Sequence, residues 1–170
     1  MYKRQFKILP QQRFLGPPPP VETTHAGVAH VLSVENAADI ALIRQILRER
    51  MPVSSVFAVA AQAEMFLLNC FFDPDIKLAY LDRFEAVVAW KSDEASFQLL
   101  DIAGKSIPPL AAILPVLDQH PDRVEVYFPP DKLGWQGTPE SFESDISLMV
   151  QGDAASRLSG PVMLSPLAEF

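Results

Sequence analysis

Hydrophobic residues at helical spacing occupy two stretches in the first half of the chain. In the first stretch they recur every three or four positions, at Ile40, Ile43 and Leu47. Asn36 is suited to cap this helix, and Pro52 sets its limit, because the residue before a proline disfavours helical backbone. The second stretch, 60–72, is apolar on almost every side and predicts a buried helix, which the polar sequence at 73–75 ends.

Strand-like patterns follow in the second half. Apolar runs separated by short polar turns predict an antiparallel meander, and RVEVYF alternates apolar and polar residues as a strand does. In chain order, we predict strands over 77–81, 85–91, 96–102, 123–128, 146–150 and 162–164. Ser106 is suited to cap a helix that runs to about Leu117. A strand-helix-strand unit after a meander predicts an α+β fold, with a mixed, mostly antiparallel sheet and helices on both faces.

A change of composition near the beginning of the chain predicts a domain boundary. The prolines at 17–20 favour an extended polyproline segment, so we predict a Pro-rich linker over 15–32. The preceding segment, 6–14, has the pattern of a strand and is too short to form a domain. The following segment, 33–170, is predicted to be one domain, and a chain that is 49% hydrophobic can supply its core.

The first five residues, MYKRQ, run into this strand-like segment without a turn or a helix cap. Chain ends usually fray, so an ordered element this near a start is unusual. Codons that would encode these residues resemble the end of a transposase adapter that is used to prepare DNA for sequencing. We therefore predict that 1–5 is a cloning or sequencing scar that has replaced upstream sequence. The alternative is an ordinary short basic N-terminus.

The net charge of -7 argues against some classes of binding partner. An acidic chain without a basic cluster lacks the cations that neutralise phosphates, so we expect no nucleic-acid partner and no membrane surface. Cys70 is the only cysteine and lies in the apolar FLLNCFF, which predicts a small buried side chain rather than a nucleophile. The sequence shows no signal-peptide pattern and no apolar run of about 18 residues, which predicts a cytoplasmic protein.

Two parts of the sequence resemble the GNAT superfamily of N-acetyltransferases. In FKILPQQRF, the residues Phe6, Pro10 and Phe14 match the loose pattern Gly-Phe-x-x-x-Pro-x-x-x-Phe of a GNAT closing strand, with Gln5 in place of the expected glycine. The range 36–166 resembles the C-terminal half of bacterial proteins that are grouped as GNAT acetyltransferases. The matching segments include MPVSSVFAV, YLDRFEAVVAW, FQLLDIAGKSIPPLAAIL, RVEVYFPPDKL, LMVQGD and GPVMLSPLA.

The resemblance implies that this chain is an N-terminally truncated fragment of a two-domain bacterial protein. Segment 6–14 would be the tail of the missing upstream GNAT domain, and 33–170 would be a GNAT-like C-terminal domain, a degenerate copy of the fold. The intact parent would transfer acetyl from acetyl-CoA to a small-molecule or peptide amine. The C-terminal domain would then be its non-catalytic partner. The alternative is a stand-alone, non-enzymatic binding or interaction module.

GNAT enzymes hold acetyl-CoA through a Gln/Arg-x-x-Gly-x-Gly/Ala turn that opens a helix. No two glycines of this chain have the Gly-x-Gly spacing, and the loop before the predicted third helix offers only Gly104. Pro108 and Pro109 remove two backbone N–H donors that a pyrophosphate would use. We therefore expect acetyl-CoA to be a cofactor of the intact parent and expect no cofactor for this chain alone.

Asp101 and Tyr127 are the candidate acid–base groups, because they fall near the ends of two predicted central strands and could line one cleft. The simpler interpretation, which we favour, is that Asp101 caps the helix region and Tyr127 packs at the rim of the sheet. An active acyltransferase would also need strands 96–102 and 123–128 to separate enough for a pantetheine arm. We interpret the acidic segment around His120 as a polar turn and predict no metal site.

Overall fold

The computed structural model describes residues 6–20, 27–60, 63–143, 147–151, 158 and 160–169. Its strands are β1 (Phe6–Leu9), β2 (Gln11–Gly16), β3 (Ala29–Leu32), β4 (Lys77–Leu81), β5 (Ala86–Ser92), β6 (Ser96–Gly104), β7 (Arg123–Val126), β8 (Thr138–Phe142) and β9 (Leu148–Gln151). Its α-helices are α1 (Ala37–Arg48), α2 (Ala63–Phe72) and α3 (Leu110–Val116). Short 3-10 turns lie at Asp82–Phe84 and Pro166–Ala168.

Seven strands form one mixed sheet in the order β3-β4-β5-β6-β7-β2-β8. Neighbouring strands are antiparallel except β6 and β7, which are parallel and are connected through α3. β1 and β9 pair in a separate antiparallel sheet of two strands. These pairings confirm the predicted α+β fold with its mostly antiparallel sheet, and they confirm the meander as β4-β5-β6.

Hydrophobic side chains cover both faces of the large sheet, because β5 and β6 are buried along almost their whole length. On one face, Leu110 and Ile113 of α3 join a core cluster that contains Phe97. On the other face, Ile43 of α1 and Phe66 of α2 join a second cluster. The predicted placement of helices on both faces is therefore confirmed. Among the helices that the structure describes, none has the length and apolar character to cross a membrane.

Local sequence explains where α1 and α2 begin or end. Asn36 is the N-cap of α1, and its Oδ1 accepts hydrogen bonds from the backbone N–H groups of Ala38 and Asp39 at 2.8 Å and 3.1 Å. α1 then ends at Arg48, short of the proline at 52, as the sequence predicts. α2 ends directly before the polar residues 73–75, which also agrees with the prediction.

The start of α3 differs from the prediction. α3 begins at Leu110 rather than at Ser106, because its N-cap Pro109 has extended backbone, with ψ at 148°. Ser106 is exposed, and its Oγ donates a hydrogen bond to the backbone carbonyl of Phe84 at 3.0 Å instead of capping the helix. Two consecutive prolines thus hold the chain extended for longer than the position of the serine indicates.

Two strands were missed by the sequence patterns, and one predicted strand is shorter than expected. β3 lies inside the predicted linker, and β8 lies in a stretch without alternation. The predicted strand over 162–164 is a single parallel bridge between Val162 and Gln11. β3 and β8 are the two edge strands of the sheet. An edge strand pairs on one side only, so its sequence is less constrained than that of a central strand.

β2 pairs with strands from the far end of the chain. β2 lies inside the large sheet, with Phe14 opposite Val126 on one side and opposite Pro139 on the other. β2 therefore belongs to the same sheet as the later strands, whereas β1 pairs with β9 in the separate sheet of two strands. The origin of the segment 6–14 in an upstream domain stays a prediction.

The ends of the predicted 15–32 linker overlap the two strands β2 and β3. β2 extends to Gly16 and β3 begins at Ala29, so that twelve residues, 17–28, lie between them. Backbone pairing with β7, β8 and β4 accounts for the difference, because ladder hydrogen bonds order residues that composition alone assigns to a linker. The proposed scar, 1–5, lies outside the described residues.

Candidate functional site

A β-bulge places the first predicted site residue. The register between β5 and β6 shifts, since Ala89 lies opposite Asp101 whereas Trp90 lies opposite Leu99. Leu100 is therefore the extra residue of the bulge. Bulges alter the direction in which side chains leave a strand. The residue that follows this bulge is Asp101, which is 2% exposed and lies in the middle of the sheet.

Asp101 is bound by Arg50, which follows α1. Arg50 Nη1 lies 3.0 Å from Asp101 Oδ2, and Nη2 lies 2.6 Å from Oδ1. Arg50 Nη2 also donates to the carbonyl of Ile102 at 2.8 Å, and the N–H of Ile102 donates to Asp101 Oδ1 at 2.8 Å. Both side chains of the pair are 2% exposed. A carboxylate that accepts three hydrogen bonds and is paired with a buried guanidinium has little capacity to act as a base.

Tyr127, the second predicted residue, belongs to a different polar cluster. Its hydroxyl donates to Glu125 Oε2 at 3.2 Å and lies 3.5 Å from Arg13 Nη1. Burial raises the pKa of this hydroxyl, and the neighbouring Glu125 charge acts in the same direction. Tyr127 therefore holds its proton at neutral pH and serves as a hydrogen-bond donor to the buried carboxylate.

Glu125 is the centre of this cluster. It is 2% exposed, and two arginines neutralise it, with Arg13 Nη1 at 3.1 Å and Arg123 Nη2 at 2.7 Å. Arg13 comes from β2 and Arg123 from the beginning of β7, so that the cluster ties the two strands together through side chains as well as through the backbone. A buried carboxylate needs such compensation, because an unpaired charge at this depth would be very unfavourable.

A pocket of about 330 Å³ lies beside Tyr127, on the face of the sheet that α2 covers. Asp73 and Lys91 form an ion pair at its wall, and the Gln98 side chain has no hydrogen-bond partner in the part of the chain that the structure describes. The remaining lining residues are Asn69, Phe72, Ile76, Leu100, Phe142, Pro166 and Leu167. Asp101 does not line this pocket, so the structure does not bring the two predicted residues together there.

The start of α3 offers few free backbone N–H donors. Pro108 and Pro109 have no N–H, and the N–H of Leu110 donates to the carbonyl of Leu133 at 2.9 Å. The one glycine of the preceding loop, Gly104, has a packing role. A Cβ at Gly104 would lie 2.6 Å from the Cβ of Ala86, so the glycine permits close approach of β6 to β5.

The strands β6 and β7 are hydrogen-bonded to each other over the first part of β6. Their parallel ladder runs from Ser96 opposite Arg123 to Leu99 opposite Val126. It continues with a hydrogen bond of 3.0 Å from the N–H of Tyr127 to the carbonyl of Leu99. The two strands are therefore closed together along this length, and β6 then continues from Leu99 to Gly104 beyond its ladder with β7.

The acidic segment near His120 is a surface turn. The side chains of His120 and Asp118 are 77% and 97% exposed, and the nearest atoms of the two lie 4.0 Å apart. Within the described ranges, no group of three histidine, cysteine or carboxylate side chains has the geometry of a metal site.

Sequence reasoning missed the charged partners of both predicted residues. Arg50 gave no signal, since it lies 51 positions before Asp101 and follows a helix. Glu125 and Tyr127 could have been linked, because alternate residues of a strand share one face. Arg13 lies 112 positions from Glu125 and could not have been assigned to it without the sheet order.

Comparison with known proteins gives a distant structural likeness. No family model matches the chain, and no curated protein matches it. Among solved structures, the chain is similar to a GCN5-related N-acetyltransferase from Kribbella flavida, with 11% sequence identity and a TM-score of 0.48. The match covers 86% of this chain and 38% of that protein, so this chain spans well under half the length of the solved protein.

Proposed function

We propose that this chain is a non-catalytic domain of a larger N-acetyltransferase, in which a separate domain binds acetyl-CoA and transfers its acetyl group to an amine. The sequence resemblance of 36–166 to the C-terminal half of such proteins motivates the proposal. In the intact protein, this domain would pack against the catalytic domain and help to shape the site for the amine acceptor. That acceptor would be a small molecule or a peptide.

One observation carries the non-catalytic part of the proposal. The first backbone N–H groups of a helix are the natural donors for a pyrophosphate, and few of them are free at the start of α3. Two prolines supply no donor, and the carbonyl of Leu133 occupies the N–H of Leu110. Acetyl-CoA would have to break that hydrogen bond and would still meet only a seven-residue helix.

The state of Asp101 supports the same conclusion. Acetyl transfer to an amine needs a group that can take up a proton within hydrogen-bond reach of the acceptor. Asp101 is buried and is bound to Arg50 through both carboxylate oxygens, which lowers its capacity to take up a substrate proton. Tyr127 cannot act as this base either, because burial raises the pKa of its hydroxyl and keeps it protonated.

The second candidate is a stand-alone, non-enzymatic binding module. The pocket beside Tyr127 favours it, because that pocket combines apolar walls with the amide of Gln98 and the ion pair between Asp73 and Lys91. Such a mixed lining is typical of small-molecule sites. In this alternative the chain would bind a ligand without the help of another domain.

Calorimetric titration of the chain with acetyl-CoA tests the proposal, with desulfo-CoA as the comparison ligand. We expect no heat of binding at ligand concentrations up to about 1 mM, which corresponds to a binding free energy weaker than about 4 kcal/mol. Circular dichroism on the same sample would show that the chain is folded. Micromolar binding of acetyl-CoA would overturn the proposal, and Asp101 and Tyr127 would then be the first residues to substitute.

A further inference from the structure

The outer surface of α2 is apolar where an exposed helix is ordinarily polar. Leu68, Phe71 and Phe72 are 44%, 61% and 71% exposed, and the two phenylalanine rings meet edge to face with centroids 5.8 Å apart. Single exposed hydrophobic residues are common in soluble proteins, but three within five positions of one helix form the kind of patch that marks an interaction surface. We call the outer surface of α2 and the groove beside it the α2 face.

The groove of the α2 face lies between α1 and α2 and has a volume of about 300 Å³. Its apolar walls are Val34, Ile40, Leu67, Leu68 and Phe71. Phe71 also borders a second pocket on its other side, together with Cys70 and Ile76. The α2 face thus carries an aromatic projection and a hollow next to it on the same surface.

Two opposite charges border the same groove. Arg44 lies on the exposed side of α1, and Glu64 lies in the first turn of α2. Neither side chain has an ion-pair or hydrogen-bond partner in the described part of the chain. The α2 face therefore offers a cation and an anion beside its apolar hollow, both available to a partner.

We propose that the α2 face is the contact surface of a two-fold symmetric dimer of this chain. In such an interface a surface meets itself, so that residue i of one copy contacts residue j of the other, and residue j contacts residue i. Phe71 of each copy enters the groove of the other, and Arg44 of each copy meets Glu64 of the other. A second copy is the occupant that matches the projection, the hollow and both charges at once.

Sedimentation velocity on the purified chain, from about 1 to about 100 µM, tests the proposal. We expect a monomer–dimer equilibrium within this range. Phe71→Ser should weaken dimerisation about tenfold or more, because aromatic anchors dominate the energy of interfaces. Val31→Ser is the matched control, because Val31 is 84% exposed but lies on β3, outside the α2 face, and should leave the equilibrium unchanged.

A charge exchange separates a second copy from any other occupant. Arg44→Glu and Glu64→Arg should each weaken dimerisation about tenfold, because each variant opposes like charges twice across the two-fold axis. An equimolar mixture of the two variants should dimerise as the wild type does. Positions 44 and 64 are then both acidic in one chain and both basic in the other, so that each acidic side chain meets a basic one. Circular dichroism would confirm that both surface variants are folded.

A wild-type chain that stays monomeric up to about 100 µM would overturn the dimer. So would charge variants that dimerise like the wild type, or a mixture that fails to recover. The dimer is independent of the proposed function, since it can fail while acetyl-CoA binding stays absent. Conversely, acetyl-CoA binding would overturn the proposed function without changing the sedimentation result.

Discussion

Arg50 binds the Asp101 carboxylate through two parallel hydrogen bonds of 3.0 Å and 2.6 Å, and both side chains are 2% exposed. The pair joins the segment after α1 to the bulge in β6. It also engages both oxygens of the carboxylate that the sequence offered as a candidate acid–base group.

Replacing Arg50 should therefore lower the stability of the folded chain. Arg50→Met leaves Asp101 buried without its counter-charge, and we expect the free energy of unfolding in urea to fall by about 3–5 kcal/mol. Adding Asp101→Leu to this variant should restore part of the loss, because no buried charge then remains. Lys105→Ala is the control: its ion pair with Glu49 is largely exposed and should contribute less than about 1 kcal/mol. A loss below that level for Arg50→Met would contradict this account.

The two arginines on Glu125 should differ in their contribution to stability. The Arg13 side chain is 30% exposed and Arg123 is 60% exposed, so Arg13 is the better shielded from solvent. We expect Arg13→Ala to lower the free energy of unfolding by about 2 kcal/mol and Arg123→Ala by less than about 1 kcal/mol. Urea unfolding of the two variants side by side measures the difference. Equal losses would show that the position of each arginine relative to solvent is unimportant.

Cys70 should make stability fall at alkaline pH. Burial raises the pKa of its thiol from the ordinary 9.0 to about 12, and the charges of Asp101 and Asp73 add to this. The folded chain then holds the proton more tightly than the unfolded chain. The contribution is complete below about pH 9 and is lost as the pH rises toward 12.

Denaturation of the wild type and of Cys70→Ala at about pH 8 and about pH 10.5 measures this effect. The wild type should lose more stability between the two values than Cys70→Ala does. Lysines and tyrosines titrate in both proteins, so their effects cancel in the comparison. Parallel losses in the two proteins would exclude a role for the thiol.

Elements whose signals are local could be predicted from the sequence. α1 was predicted because a capping residue, a helical spacing of apolar residues and a following proline all lie within 36–52. The meander was predicted because β4, β5 and β6 follow one another through short turns. Their burial on both faces supplies long apolar runs, which few other structures tolerate.

Elements that depend on distant partners could not be predicted. β8 contains Pro139 and is mostly exposed, and it forms a strand only because β2 lies beside it. At the candidate site, Asp101 and Tyr127 were found from their positions near strand ends. Their environments were set by Arg50 and Glu125, and the bulge at Leu100 has no sequence signature. The chemistry of both residues was therefore decided by contacts that sequence spacing does not record.

The position of β2 has a consequence for the kinetics of folding. β2 precedes every other strand of the large sheet in the chain, yet its neighbours there, β7 and β8, lie more than 100 residues later. During synthesis β2 must wait for both neighbours, and both of its edges lack their partners in this sheet until β7 and β8 have been made. Pairings at such separation form slowly, and the exposed edges can meanwhile join other chains. The yield of refolding should therefore fall as the protein concentration rises. When several copies fold close together, β2 is the strand that we expect to be exchanged between molecules.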